Sequence, residues 1–490
     1  MEADEAHGQT HSPTPHSARA RAAPIASLSF ELLSQVFLEC LPPDGLPTAS
    51  ITTAPLLLGR ICSYWRSVAF STPQLWAGLE LDDSFPNGPT KHALVVKEWT
   101  IRAGSCLLSY HLFFNAQVLD VILPYRSRWR HIEGNFEPNA WDTFYSVVTR
   151  CAAPHLRYLN IGILSHPPFS SHRNATPIEV TIPFPGASQL QSLFLKTDCN
   201  THNFFDRMDA PSLRTLVFYG TNASLDSCWS CLRYCPNLEH FSATCQVKLP
   251  FTITPENDHV LEANQLKHLR LTLHFVDTGP FLDRLHAPAL EKLEFNFYNL
   301  PEHPIGVPEL SHFLKRSGAH LVDLNIDVPL TRDQILDCLH HTPALTSLEL
   351  HTVQQLDDHI IQALTLRPEI THNNICVELQ SLTLADGSDL SIEAIEAMIL
   401  SRWGGPMGRT SSSKAPDEDW VRKLGHVILI RLDFGKDILL SERPKILRCV
   451  EEGLQVEEQP PERYDSDSSE DFYSSWRHGG WSDNTTSVSC

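Results

Sequence analysis

From residue 151 onward, apolar positions fall into one repeated frame, Leu-x-x-Leu-x-apolar. It reads Leu156/Leu159/Ile161, Leu190/Leu193/Leu195, Leu213/Leu216/Phe218, Leu238/Phe241/Ala243 and Leu266/Leu269/Leu271. It continues as Leu290/Leu293/Phe295, Leu321/Leu324/Ile326, Leu345/Leu348/Leu350 and Leu379/Leu382/Leu384. Several units share a lead-in: Ala153-Pro154, Ala210-Pro211, Cys235-Pro236, Ala287-Pro288 and Thr342-Pro343. The period-2 part of the frame predicts a short strand with its leucines on one face. The stretch up to the next proline predicts a helix or turn. A single unit cannot bury its own apolar edge, so the units must stack. Exposed strand positions such as Glu294, Asn296, Glu349 and His351 would then line the inner face of one parallel sheet.

The rest of the chain is patterned differently. Residues 1–23 are polar and read as a disordered leader. Residues 24–79 are strongly apolar with helical spacing at Leu32, Leu33, Val36, Phe37 and Leu41, stopped by Pro42-Pro43. A second helix is expected from Leu56 to Phe70, and Ser71-Thr72-Pro73 starts a short third one through Leu75 and Trp76. Residues 80–150 read as a transition, with an amphipathic helix over Lys91–Arg102 and strand-like alternation at Leu107–Phe113 and Arg128–Ile132. Beyond the repeats, Ser391–Leu400 is helical, 401–416 is a Gly/Ser loop, and Val427–Phe434 alternates like one more strand, which closes a 151–450 array as a cap. Residues 451–490 carry ten acids to two bases and read as a disordered acidic tail.

Composition narrows the functional classes. A formal net charge of −20 gives no basic face for nucleic acid. No apolar run reaches the length of a membrane span. The 13 cysteines are scattered and odd in number, which points to a reducing compartment, cytoplasmic or nuclear.

Catalytic chemistry is not legible. There is no Gly-rich phosphate loop, Gly-x-Ser-x-Gly or His-Glu-x-x-His, so neither an enzyme nor a cofactor is expected. Cys228, Cys231 and Cys235, with Cys245 and His240 nearby, have the opening of a zinc site. Their spacing of three and four also sets them on one face of a helix, where cysteine packs as a small apolar residue. That second reading is preferred, and no metal is expected. In the tail, Ser466, Ser468 and Ser469 lie among acids and are candidate phosphorylation sites.

Residues 28–41 read Leu-Ser-Phe-Glu-Leu-Leu-Ser-Gln-Val-Phe-Leu-Glu-Cys-Leu, and 61–69 read Ile-Cys-Ser-Tyr-Trp-Arg-Ser-Val-Ala. Together they resemble the F-box pattern Leu-Pro-x-Glu-Leu-Leu-x-x-Ile-Phe followed by apolar-Cys-x-x-Trp-x-x-apolar-Ala. Ser29 stands where the pattern has proline, and Asp44–Ala54 is inserted. Pro-Leu-Leu-Leu-Gly-Arg at 55–60 and Ser-Thr-Pro-Gln-Leu-Trp at 71–76 are similar to the F-box-like proteins of mushroom-forming fungi, which carry degenerate leucine-rich repeats downstream. The resemblance implies an α/β solenoid: an N-terminal three-helix F-box-like module, then a curved leucine-rich-repeat array with parallel strands. It implies docking on a Skp-type adaptor, and through it on a cullin, with the repeats holding a protein substrate for ubiquitylation. Carried over by position, Leu28, Leu32, Leu33, Val36, Phe37, Leu41, Pro42, Ile61, Cys62 and Trp65 would form the adaptor-binding face. The alternative reading is a ligase-independent interaction scaffold with a decayed F-box.

Overall fold

The computed structural model of the chain describes residues 28–81, 88–150, 153–163, 188–197, 210–219, 223–245, 251, 259–273, 277–297, 309–351, 356–367, 374–385, 390–403, 424–432, 434 and 439–459. The leader 1–23 and Ser466, Ser468 and Ser469 lie outside them.

The leucine frame produces strands at Tyr158–Ile163, Ser192–Thr197, Thr215–Tyr219, His240–Cys245, His268–Leu273, Lys292–Phe297, Asp323–Asp327, Ser347–His351 and Ser381–Ala385. All pair in parallel, each with its neighbour in the chain, and in one register: Leu159, Leu193, Leu216, Phe241, Leu269, Leu293, Leu324, Leu348 and Leu382 form a continuous row. A second row runs two residues on, from Ile161 through Leu195 to Leu384, and both rows are buried. Burying an apolar side chain of this size contributes roughly 1.5–3 kcal/mol, so a one-residue slip, which would turn a strand's leucines to the other face, is strongly disfavoured.

The lead-in prolines have a specific role. In several units the residue before the proline accepts a hydrogen bond from the N–H of the first leucine three positions on: Leu156 to Ala153 at 3.1 Å, Leu213 to Ala210 at 3.0 Å, Leu238 to Cys235 at 3.1 Å, Leu290 to Ala287 at 3.3 Å and Leu345 to Thr342 at 3.3 Å. Proline at the second position of such a turn sets its φ in advance. The turn then drops the first leucine into the core ahead of the strand.

The sheet has 14 strands and is not closed; a separate two-stranded parallel pair joins Leu261–Glu262 to Leu285–His286. It begins earlier than the leucine frame. Gly78–Glu80, Leu108–His111 and Trp129–Phe136 are its first three strands, so residues read as a transition already belong to it. Their inward residues are Leu79, Tyr110 and Ile132, in the same row as Leu159. It also ends later. After His426–Ile430, the strand Gln455–Gln459 pairs through Gln455 to Gln459, inside the segment read as a disordered tail. That strand holds one inward apolar residue, Val456. The next inward position is Glu458, which accepts from the N–H groups of Leu440 at 2.7 Å and Ser441 at 3.0 Å.

Helices between the strands form the second layer, and consecutive ones from Glu309–Ser317 to Pro444–Glu451 pack on each other. Capping places their starts: Thr331 and Gln334 form a capping box, and Ser224, Asp357 and Ser391 accept from first-turn N–H groups. Arg402, 3 % exposed, ends one of these helices inside the layer. Its guanidinium donates to the carbonyls of Leu364 at 2.8 Å, Cys376 at 2.8 Å and Ile375 at 3.1 Å. Burial lowers its pKa to about 10, still far above neutrality. Arg402→Met leaves these carbonyls without partners; a loss of about 3 kcal/mol is expected, read as a lower urea midpoint.

Candidate functional site

The N-terminal module shows how one helix can be apolar nearly all round. Helix α1 (Phe30–Leu38) starts at Ser29, whose side chain accepts from the Leu32 N–H. The residue that departs from the F-box pattern is thus a helix cap. Leu33 and Phe37, four apart, are fully buried, and Ser34 between them bonds Thr72 at 3.0 Å. The neighbouring stripe faces outward: Leu32 is 58 % exposed and Val36 41 %. The expected second helix is broken. Helix α2 (Leu58–Ile61) stops at Cys62, which is extended and caps helix α3 (Ser63–Phe70) by accepting from the Trp65 N–H at 3.4 Å.

These elements are welded to the sheet. Trp76 donates from Nε1 to the Ala69 carbonyl at 2.9 Å and packs edge-on against Trp99, 4.7 Å between centroids. Trp99 in helix α4 (Gly88–Arg102) donates to the carbonyl of Gly78 on the first strand at 2.7 Å. The Glu80 N–H reaches back to Pro47 at 3.0 Å.

The ten residues assigned to a docking face divide accordingly. Leu32, Val36, Pro42, Ile61 and Cys62 are exposed; Leu28, Leu41 and Trp65 are half-buried. Leu33 and Phe37 are corrected: both lie in the core, against α3 and the turn Pro73–Trp76, with Phe37 4.9 Å from the Trp65 ring. Sequence periodicity merged two adjacent stripes into one. The same segment leaves exposed further apolar residues that the pattern did not single out, Phe30, Ile51, Leu57, Tyr64 and Phe70. For Phe30 and Leu57 the signal was the apolar character of α1 and of residues 55–61 taken all round, which exceeds what a single buried stripe uses; Ile51, Tyr64 and Phe70 lie outside those stretches. Eight of the fifteen large apolar residues left exposed among the described residues fall between Phe30 and Phe70.

The second candidate surface is the face of the sheet opposite the leucine rows. Its residues pair both within a strand and between neighbouring strands. His131 sits 3.0 Å from Glu133, which also accepts from Asn160 at 2.9 Å. Glu239 binds Lys267 at 2.9 Å and also Arg214. Glu294, 8 % exposed, is held by His268 at 3.1 Å, Lys292 at 3.1 Å and Arg270 at 3.2 Å. The outward positions named from the sequence, Glu294 and Glu349, take part in this lattice; Glu349 accepts from Asn325.

The cysteine cluster is interior. Cys228, Cys231 and Cys235 are buried on or just after the helix Leu225–Tyr234, with Cys228 Sγ 3.5 Å from Cys245 Sγ. The contact with Cys245 and burial raise the Cys228 thiol well above its ordinary value, and burial does the same for Cys231. Among the described residues, no group of three or more His, Cys, Asp or Glu is placed to hold a metal ion, and no helix is long and apolar enough to cross a membrane. Searches against protein-family models and curated proteins return no match to the chain.

Two outcomes follow from these geometries. For Glu294, burial opposes ionisation, but the His268 hydrogen bond and the charges of Arg270 and Lys292 outweigh it and bring the carboxyl to about 2. A depressed folded pKa gives stability that is complete above the ordinary carboxylate range and is lost as pH falls from about 4.5 toward 2. At neutral pH the contribution is about 2 kcal/mol after solvent screening. Urea midpoints measured from pH 6 to pH 2.5 should therefore fall less steeply in Glu294→Gln than in the parent chain. For the thiols, iodoacetamide on the native chain should label exposed Cys40 and Cys62 and spare Cys228, Cys231, Cys235 and Cys245, as read by peptide mass mapping.

Proposed function

We propose that this chain is the substrate receptor of a cullin-based ubiquitin ligase. In this reading α1, α2 and α3 dock on a Skp-type adaptor, and a leucine-rich-repeat solenoid offers the outward face of its sheet to a protein substrate. The chain binds and positions; the transfer chemistry belongs to its partners. The observation that carries the reading is the concentration of exposed apolar side chains on residues 30–70, on the segment whose sequence resembles the F-box. Leu32, Val36 and Ile61 are exposed apolar side chains of the kind an interface centre uses, and Trp65, half-buried, packs against Phe37. The alternating outward residues of the strands supply a broad polar face that can vary without disturbing the leucine rows, which suits recognition of a protein.

The exposed stripe also dictates the test. Leu33→Asp would damage the core and report nothing about docking. Leu32→Asp with Ile61→Asp changes only exposed positions, so folding should be unaffected. The full chain is expected to co-purify with the Skp-type adaptor and the double variant to lose it by a factor of at least about 100, since each lost hot-spot residue costs about 2 kcal/mol. Circular dichroism and the melting temperature should match between the two. Absence of a complex with the intact chain would favour the ligase-independent scaffold.

A further inference from the structure

The residues that lead into the strands form a continuous rim. Each donates its N–H to the carbonyl of the one before: Arg157 to Arg130 at 2.9 Å, then Gln191 to Arg157, Arg214 to Gln191, Glu239 to Arg214 and Lys267 to Glu239, each at 2.8 Å. Neighbours along this rim therefore stand about 4.8 Å apart. From Arg214 onward the rim is neutralised from within, because Glu239 binds both Arg214 and Lys267. At its start it is not. Arg130 and Arg157 stand side by side, and the next position is Gln191 rather than a carboxylate. Among the described residues neither guanidinium has an ion-pair or hydrogen-bond partner. Arg157 is exposed and Arg130 half-buried. Two like charges set beside each other cost stability rather than add to it.

The strands that this part of the rim feeds carry three rings on the face opposite the leucine rows. His131 stacks on Tyr158, with centroids 4.1 Å apart and planes 13° from parallel, and Tyr158 lies 5.4 Å from Phe194. All three are half-buried, so part of each meets solvent. Bases beside aromatic rings also suit a single-stranded nucleic acid, but the surrounding charges oppose one. A chain of phosphates running along the rim would meet Glu239, and one running along the strands would meet Glu133. A single carboxylate meets neither, and the rim itself shows the arrangement: Glu239 bridges two bases on neighbouring strands.

We propose that Arg130 and Arg157, with the rings of His131, Tyr158 and Phe194, dock an acidic peptide segment of another protein. One Asp or Glu carboxylate bridges the two guanidiniums, in charge-assisted hydrogen bonds of the kind arginine makes best, and an adjacent aromatic or large apolar side chain rests on the rings. The inference names the partner chemistry of the protein-binding face and rests on that half of the reading above; adaptor docking plays no part in it.

The test is panning of displayed random linear peptides against the intact full chain, after which selected peptides are remade with a fluorescein label and titrated by anisotropy. Expected is a shared Asp or Glu beside an aromatic or large apolar residue. Binding should weaken about tenfold or more in Arg130→Gln or Arg157→Gln, and equally when the peptide's acid is changed to its amide. It should also weaken in about 0.5 M salt, where screening is short-ranged. The melting temperature should not fall in either variant, because no hydrogen bond or ion pair of the fold is lost. Peptides without acids whose binding is lost in Tyr158→Ala would overturn the acidic partner while leaving a protein-binding face. No selected peptide, or affinities that both arginine substitutions leave unchanged, would overturn the site itself. Binding about tenfold tighter to a phosphoserine version of the peptide, or to labelled oligouridine, would overturn the carboxylate in favour of phosphate.

Discussion

Everything in this fold depends on one constraint: a strand with two or three leucines on one side has nowhere to put them except against the next identical strand and its helix. The register shows it. Leu159 to Leu382 form an unbroken row because each leucine completes the burial of its neighbour. The proline turns act upstream of that constraint, fixing where each strand enters. The caps act downstream, fixing where each helix begins. Because the leucine rows are shared among units, the opposite face is released from any duty to the core, and it has filled with polar and charged residues that bind one another laterally.

The repeated part was legible because its signal is simple and iterated. Residues Leu156 to Leu384 fall in the frame that the strands adopt. Of the first three strands, Leu108–His111 and Trp129–Phe136 fall where the alternation at Leu107–Phe113 and Arg128–Ile132 was legible; Gly78–Glu80 was missed because it is three residues long with one inward side chain, Leu79. The last was missed because Gln455–Gln459 is held by backbone pairing and one valine, and its composition resembles that of the segment after it. The break at Cys62 was invisible to periodicity, since apolar residues flank it on both sides. The division of α1 into a buried pair, Leu33 and Phe37, and an outward pair, Leu32 and Val36, is a matter of which face meets α3. Spacing alone cannot choose between two adjacent stripes.

The welding of the N-terminal module has its own weight. Trp76, Trp99 and the Gly78 carbonyl join helices to the first strand through buried contacts rather than through a linker. A body bound on the Leu32–Ile61 surface is therefore held at a set orientation to the sheet, which suits a chain whose proposed task is to present one protein to another.

A stack of identical parallel strands has no internal reason to stop; at its first edge Thr48 bridges to Glu80 and the Glu80 N–H is taken by Pro47. Here the final strand replaces the second inward apolar residue with Glu458, already engaged by the Leu440 and Ser441 amides. A further strand laid on that edge would have to seal a carboxylate beneath it. One side chain thus makes the last strand a poor template for a further one.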